Sequence, residues 1–341
     1  MVKSKHVFKT KRLKPQAILK GGSRAEIHQG LFPILKGLSL YLLRLKRNGI
    51  REPHWHPNAH ELAYCVSGRY AVRIFGPDAL HENFLLTEGE IAFIPKGYLH
   101  MIENIGPKEG LLLIGFNHEM PEDIGISAGV SSMPNDVLAA TFETSPQLFS
   151  RFRKFEKDAL ISERRKGIRA EIPPKAGKHR YKLEANDPQV DADGGTIRLA
   201  KKEFFSVLDK ITLFDLRLSP GGIREPHWHP NAAEMDYVVK GRARMIILSP
   251  DGERDEFIVE KGDIVFIPPA YFHYIENIGK GEMHFAIYFN HESPEDIGVS
   301  GSLGAFSNDI LGSIFCVDPK ELEKLPKPQA DCFVARRPWK K

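Results

Sequence analysis

Cysteine is scarce in this chain of 341 residues: Cys65, Cys316 and Cys332 are the whole complement. Three thiols in so long a chain cannot build a disulfide framework, which argues for a reducing, cytoplasmic setting. Long apolar runs are missing too. None approaches the roughly 18–20 residues that a membrane helix needs, so no membrane partner is expected. Acidic residues are absent before Glu26, while residues 1–20 carry seven Lys and Arg. No helical or aromatic pattern accompanies that charge, so it reads as a solvated basic arm and not as a nucleic-acid interface. It also lacks the apolar stretch of a secretory signal. With 42% hydrophobic and 27% charged residues, and 29 Gly and 24 Pro scattered throughout, disorder, collagen and coiled coil are excluded as descriptions of the whole chain. The length suffices for two domains.

What is present is an internal repeat. GIREPHWHPNA occupies residues 49–59 and recurs at 222–232, an offset of 173. The same offset relates Glu61 to Glu234, Gly68 to Gly241, His100 to His273, ENIG at 103–106 to 276–279, and PEDIG at 121–125 to 294–298. Residues 21–152 align with 194–325 without a gap, so the chain is a tandem duplication of one domain of ordinary size. The duplication works as an internal control, because a residue kept in both halves answers a requirement common to both.

Each half is mainly β. Runs such as 61–66 and 70–75 end at Ser67-Gly68 and Gly76-Pro77, and Gly89 and Gly262 precede the runs 91–94 and 264–267. Many short strands at this spacing predict a barrel or sandwich. Helix is expected only afterwards, where Ser145-Pro146 and Asp318-Pro319 offer an N-cap followed by Pro. The expected organisation is a basic arm at 1–20, a first domain at 21–152, a helical linker at 153–193, a second domain at 194–325 and a tail at 326–341.

His54 and His56 stand two apart, the spacing that puts both imidazoles on one face of a strand. Glu61 starts the next strand, and His100 follows the turn after 91–94. Three imidazoles and a carboxylate suit Mn²⁺, Fe²⁺, Co²⁺, Ni²⁺ or Zn²⁺, and four protein ligands on an octahedral ion leave two positions open. His227, His229, Glu234 and His273 repeat the set. Isolated histidines would read as structural; two complete matching sets read as two metal centres. His60 faces Ala233 in the other half and His284 faces Leu111, so both are left out.

The string G-x5-H-x-H-x4-E-x6-G followed by G-x5-P-x-G-x2-H-x3-N resembles the two-part signature of the cupin superfamily. It runs through His54, His56, Glu61, Gly68, Gly89, Pro95, Gly97, His100 and Asn104, and through Gly221, His227, His229, Glu234, Gly241, Gly262, Pro268, His273 and Asn277. Asn48 and Ala270 replace two of the glycines. The resemblance implies an all-β chain of two tandem double-stranded β-helix (jelly-roll) barrels with short helical extensions.

Within that superfamily the Arg-Glu-x-His-Trp-His strings and the Glu-Asn-Ile-Gly segments are most similar to bacterial oxalate decarboxylases. That likeness implies an enzyme, a carbon–carbon lyase with Mn²⁺ in each half that converts oxalate, or a similar small carboxylate, to formate and carbon dioxide and needs dioxygen without consuming it. It gives Arg51 and Arg224 the role of binding the substrate carboxylate. On strict alternation Arg51 falls on the face opposite His54, so its inward orientation rests on the resemblance and on Pro53 disturbing the strand, with a surface pair to Glu52 as the competing reading. The family's Ser-Glu-Asn-Ser lid is absent, and Glu119 and Glu122, with counterparts Glu292 and Glu295, are the candidate proton donors. An oxidase or dioxygenase on another substrate is the alternative, favoured if the cavity is roomy and apolar; a storage-type binding cupin is a third. Nucleic acid is not expected as a partner. The resemblance implies a trimer or hexamer.

Overall fold

Strand follows strand through both repeats, and every strand pairing is antiparallel. The computed structural model describes residues 4–174, 176–328 and 330–337. The chain divides into two units, one of residues 14–33 and 39–185, the other of residues up to Leu13, 34–38 and those from Asn186 onward.

In the first unit a seven-stranded sheet is ordered Arg180–Tyr181, Ile91–Ile94, Glu61–Ser67, Gly110–Phe116, Ser39–Leu45, Gly22–Ile27, Ala17–Leu19. A second sheet is ordered Ile124–Gly125, Gly49–Trp55, Leu99–Asn104, Arg69–Phe75, His81–Thr87, with Ile161–Glu163 also paired to Gly49–Trp55. Alternate residues of both sheets, among them Leu43, Ala63, Ile94 and Ile114 against Val72, Ile74, Phe84 and Ile102, bury themselves in one core, which makes the jelly-roll barrel expected from the sequence. The second unit repeats this with a core including Leu216, Val238, Met245, Ile275 and Phe285.

Three expectations for the connecting segments are corrected. The described residues of 153–193 hold no helix. That stretch supplies Ile161–Glu163 and Arg180–Tyr181, each satisfying the backbone of a strand edge in the first unit. The basic arm is not simply solvated, because Val7–Lys9 pairs with Asp263–Ile267 in the second unit. The tail likewise gives Val334–Arg336 as a strand beside Gly222–Trp228. At the offset of 173, residues 7–9 correspond to 180–182 and 161–163 to 334–336, so the repeat is longer than its identical residues suggest. Each repeat's leading strand is seated in the sheet of the other repeat's unit.

The Ser145-Pro146 signal opens the helix Pro146–Ser150, with the Ser145 side chain accepting from the Gln147 N–H. Asp318-Pro319 yields only a 3₁₀ turn, Glu321–Lys324. Ile126–Ser131, Asn135–Thr141, Val299–Gly304 and Asn308–Phe315 are helices that the sequence pattern did not announce.

Asn104 explains one repeated string. Its amide donates to the carbonyls of Leu45 and Lys108 at 2.7 and 2.8 Å and accepts from Gly106 N–H at 2.8 Å, and Asn277 does the same for Leu218, Gly281 and Gly279. The two departures from the glycine pattern both take positive φ: Asn48 at 63°, where its counterpart Gly221 has 73°, and Ala270 at 62°, where Gly97 has 79°. Asn tolerates this left-handed conformation; Ala carries a Cβ clash worth roughly 1–2 kcal/mol. Ala270→Gly therefore stabilises the protein by about 0.5–1 kcal/mol after the extra entropy of glycine is counted, seen as a Tm rise of about 1–3 °C. A fall in Tm would refute this reading of the turn.

Candidate metal centres

The strand Gly49–Trp55 carries both an arginine and two histidines, and its pairing explains how they share a face. His54 lies opposite His100, but Arg51 lies opposite Ile102, so three steps on one strand match two on the other. This bulge contains Pro53, which has no N–H to give to the ladder. It cancels the alternation that would turn Arg51 away from His54. The same slip separates Arg224, opposite Ile275, from His227, opposite His273.

His54, His56, Glu61 and His100 are all buried, and one donor atom from each lies within 4.8 Å of the others; His227, His229, Glu234 and His273 match them. Every imidazole is oriented through Nδ1. His54 reaches the Glu52 carbonyl at 2.7 Å, His56 that of Glu122 at 2.7 Å, and His100 that of Tyr98 at 3.0 Å. In the second set the partners are Glu225, Glu295 and Tyr271 at 2.6, 2.7 and 2.8 Å. A carbonyl only accepts, so Nδ1 holds the proton and Nε2 presents a bare lone pair.

Those lone pairs converge on carboxylate oxygen. His56 and His100 Nε2 lie 3.1 and 3.2 Å from Glu61 Oε2, and His229 and His273 Nε2 lie 2.9 and 3.2 Å from Glu234 Oε2. Glu61 Oε1 is buried without a hydrogen-bond partner. Lone pair facing lone pair in a buried cluster is repulsive unless a cation lies between them, so these residues fit a divalent ion. Burial first, then the Arg51 or Arg224 charge, pushes His54 and His227 well below their ordinary value, which keeps them neutral and ligating.

Beside each cluster the arginine is buried and paired to an aspartate. Arg51 Nη2 donates to Asp123 and Nη1 to the Leu160 carbonyl at 3.2 Å; Arg224 donates to Asp296 and to the Phe333 carbonyl at 3.1 Å. Glu52 is not its partner. Both Glu52 oxygens accept backbone N–H groups, from Ser127 at 3.0 Å and Leu160 at 2.5 Å.

From here the two centres diverge. In the first, Arg24 also reaches Asp123 at 2.5 Å, pairs with Glu26 at 2.7 Å and lies over the Tyr41 ring at 5.2 Å, leaving a cavity of about 10 Å³. Their counterparts in the second are Ile197, Leu199 and Phe214, which line a cavity of about 350 Å³. Asp236 replaces Ala63 and buries its carboxyl against Glu234; burial, then the Glu234 charge, raises its pKa well above the ordinary value.

The model of the family described as Cupin matches residues 10–148 and again 181–323. This chain belongs to the cupin family. As a bicupin it is 29% identical over 293 residues to oxalate decarboxylase OxdC of Bacillus subtilis, covering 82% of this chain and 74% of that one. A probable oxalate decarboxylase of Arthroderma benhamiae is 29% identical over 325 residues, covering 92% and 79%. The structure of the B. subtilis oxalate decarboxylase at pH 4.6 superposes with a TM-score of 0.88 at 24% identity, covering 98% and 88%. Another structure of that enzyme, concerned with its Mn(II) centres, gives 0.87 at 25% identity.

Within this bicupin the loop after Gly110–Phe116 carries the candidate acids, Glu119 and Glu122, with Glu292 and Glu295 in the second half. Glu122 is exposed, and it is its backbone carbonyl that holds His56. Glu119 gives its carbonyl to Gln29 N–H at 3.0 Å, and neither Glu119 nor Asp123 is among the residues lining the small first cavity. Glu295 is exposed, and the Glu292 carboxylate accepts from Lys210 N–H at 3.0 Å. The carboxylate paired to the arginine beside each centre is Asp123 or Asp296, one residue beyond Glu122 or Glu295, and Asp296 also lines the second cavity. Both lie inside the repeated PEDIG string, which was the available signal. Asn58 secures this loop by donating to the Met120 carbonyl at 3.0 Å and accepting from Glu122 N–H at 2.9 Å. His60 stays outside, with Nδ1 accepting from Lys96 N–H at 3.0 Å, and His284 Nε2 lies 3.6 Å from Asp215.

Glu61→Gln lowers metal content from two ions to one per chain, and His273→Ala empties the other centre, both read by elemental analysis after dialysis. Content staying at two in either variant would show the ligand set to be wrong.

Proposed function

We propose that this bicupin is a Mn²⁺-dependent oxalate decarboxylase acting at its first centre, with Arg51 and Arg24 binding the dianion and Asp123 returning the proton. What carries the reading is the buried Arg51 guanidinium and the partly buried Arg24 guanidinium converging on one aspartate beside a four-ligand cluster. The relatives named for oxalate decarboxylation, one of them described with Mn(II) centres, support the substrate and the ion. When bound, the ion supplies Lewis-acid polarisation of a substrate oxygen at the two positions left by four protein ligands.

Arg51 and Arg24 carry the charge and the planar donors that a carboxylate needs, and Asp123 occupies them in the substrate's place. Burial raises the Asp123 pKa while Arg51, His56 and Arg24 lower it, and the net direction is down. A substrate carboxylate that takes over the guanidinium donors removes much of that lowering and leaves the burial, so Asp123 gains a proton as the substrate enters. It then holds that proton beside the carbon that loses carbon dioxide. One proton is consumed per oxalate, giving one formate and one carbon dioxide.

Oxalate incubated in air with the Mn²⁺-loaded protein yields formate in step with oxalate loss. Asp123→Asn lowers that rate by about 10²–10⁴ with metal content unchanged. Peroxide in place of formate in the unaltered protein would mean an oxidase; formate at full rate in Asp123→Asn would place the acid elsewhere.

We also read the exposed apolar residues of the helical extensions as contacts between copies of the chain, consistent with the expected trimer or hexamer. Val137, Phe142, Phe152, Ile310, Ile314 and Phe315 are each 47–65% exposed. Light scattering gives a multiple of 38.5 kDa, and Phe142→Glu with Ile314→Glu shifts it toward the monomer. A wild-type monomer would end this reading.

A further inference from the structure

The second centre, we propose, takes a monocarboxylate with an apolar body, not a dicarboxylate. The inference rests on the metal-and-arginine part of the reading above and names a different substrate class for the other half of the chain. The cavity of about 350 Å³ opens directly onto His227, His229 and Glu234 and onto Arg224. Its volume is that of about twelve waters at ~30 Å³ each, far more than the six heavy atoms of oxalate fill, and at the lower end of cavities that enclose organic ligands.

Its wall is the second argument. Ile197, Leu199, Phe214, Leu216, Ile275 and Phe333 face it, whereas the first repeat places Arg24, Glu26 and Tyr41 at the first three of these positions. Three polar side chains in one half correspond to three apolar ones in the other. The effect on ligand charge is direct. The first centre turns two guanidinium groups toward one carboxylate; the second keeps only Arg224. A short dianion held at Arg224 would press its second carboxylate against aliphatic carbon, because the other donors of the cavity, Lys201 and Gln189, stand at its mouth. A single carboxylate at Arg224 leaves the apolar wall for a hydrocarbon body. Lys201, with its ammonium 5.7 Å from the Phe214 ring centroid, and the exposed Gln189 stand where the cavity meets solvent. A cation there favours approach of an anion without demanding a second one on the ligand.

The test uses the full chain loaded with Mn²⁺ and calorimetric titration with acetate, butanoate, hexanoate and phenylglyoxylate. Affinity rises by about fourfold per added methylene from acetate to hexanoate as apolar surface is buried, with one site per chain. Ile197→Phe, which fills the cavity, weakens hexanoate and phenylglyoxylate at least tenfold and leaves acetate within about twofold. Leu199→Glu sits on the half-buried rim, so it perturbs the fold less, and it weakens all four anions by placing a carboxylate in the wall. Affinity independent of chain length, or equal in Ile197→Phe and the unaltered protein, would overturn the proposal. Formate release from oxalate is followed in the same preparation. Formate without chain-length-dependent binding refutes this inference alone, and binding without formate refutes the oxalate reading while leaving this one standing.

Discussion

Three imidazoles in each barrel are fixed through Nδ1 by backbone carbonyls, and the rest of each centre follows from that constraint. With the proton committed to the carbonyl, the other nitrogen has only a lone pair to offer, and the barrel aims it at a buried carboxylate. Nothing within the cluster satisfies those lone pairs, so the arrangement is stable only around a cation. One of the anchoring carbonyls, that of Glu122 or Glu295, belongs to the loop that also carries Asp123 or Asp296. The ligand shell and that loop are therefore tied by a single hydrogen bond to one histidine.

The bulge around Pro53 and Pro226 does the complementary work on the substrate side. A regular strand would separate arginine from histidine by a face. One extra residue in the ladder brings both onto the inner surface, where the guanidinium must find an anion because it is buried. In the resting protein that anion is an aspartate of the loop. A carboxylate ligand replaces like with like, so binding exchanges one buried ion pair for another and does not create an unpaired charge.

Duplication left the metal ligands, the arginine and the aspartate unchanged, and let the wall diverge. Arg24, Glu26 and Tyr41 stand on the strands Gly22–Ile27 and Ser39–Leu45, and their counterparts Ile197, Leu199 and Phe214 on Gly195–Leu199 and Thr212–Leu218. The polar trio fills its cavity with side-chain hydrogen bonds; the apolar trio leaves space. Two centres with one coordination chemistry thus differ in the charge and size of what fits beside the ion.

Much of this was legible in the amino-acid order. His54 and His56 are two apart on a strand, and Glu61 and His100 recur at one offset in Glu234 and His273, so local periodicity and repetition were enough for two tandem β domains and both ligand sets, and the cupin resemblance made the domains barrels. The arginine's partner was not legible, because Glu119, Glu122 and Asp123 are chemically alike and only the turn of the loop decides which carboxyl meets the guanidinium. The inward face of Arg51 was signalled by Pro53, but its extent depends on a register slip against a strand about fifty residues away. The strands Val7–Lys9 and Arg180–Tyr181 were missed for a related reason: short edge strands have little hydrophobic pattern of their own, and their pairing is set by the exposed edge they cover. The sequence by itself determined the duplicated β architecture and the ligand residues of two metal centres, since these rest on spacing within single strands and on repetition. Tertiary structure alone decided which aspartate meets each arginine and how much room lies beside each ion, because a cavity is the sum of side chains that only folding brings to the same place.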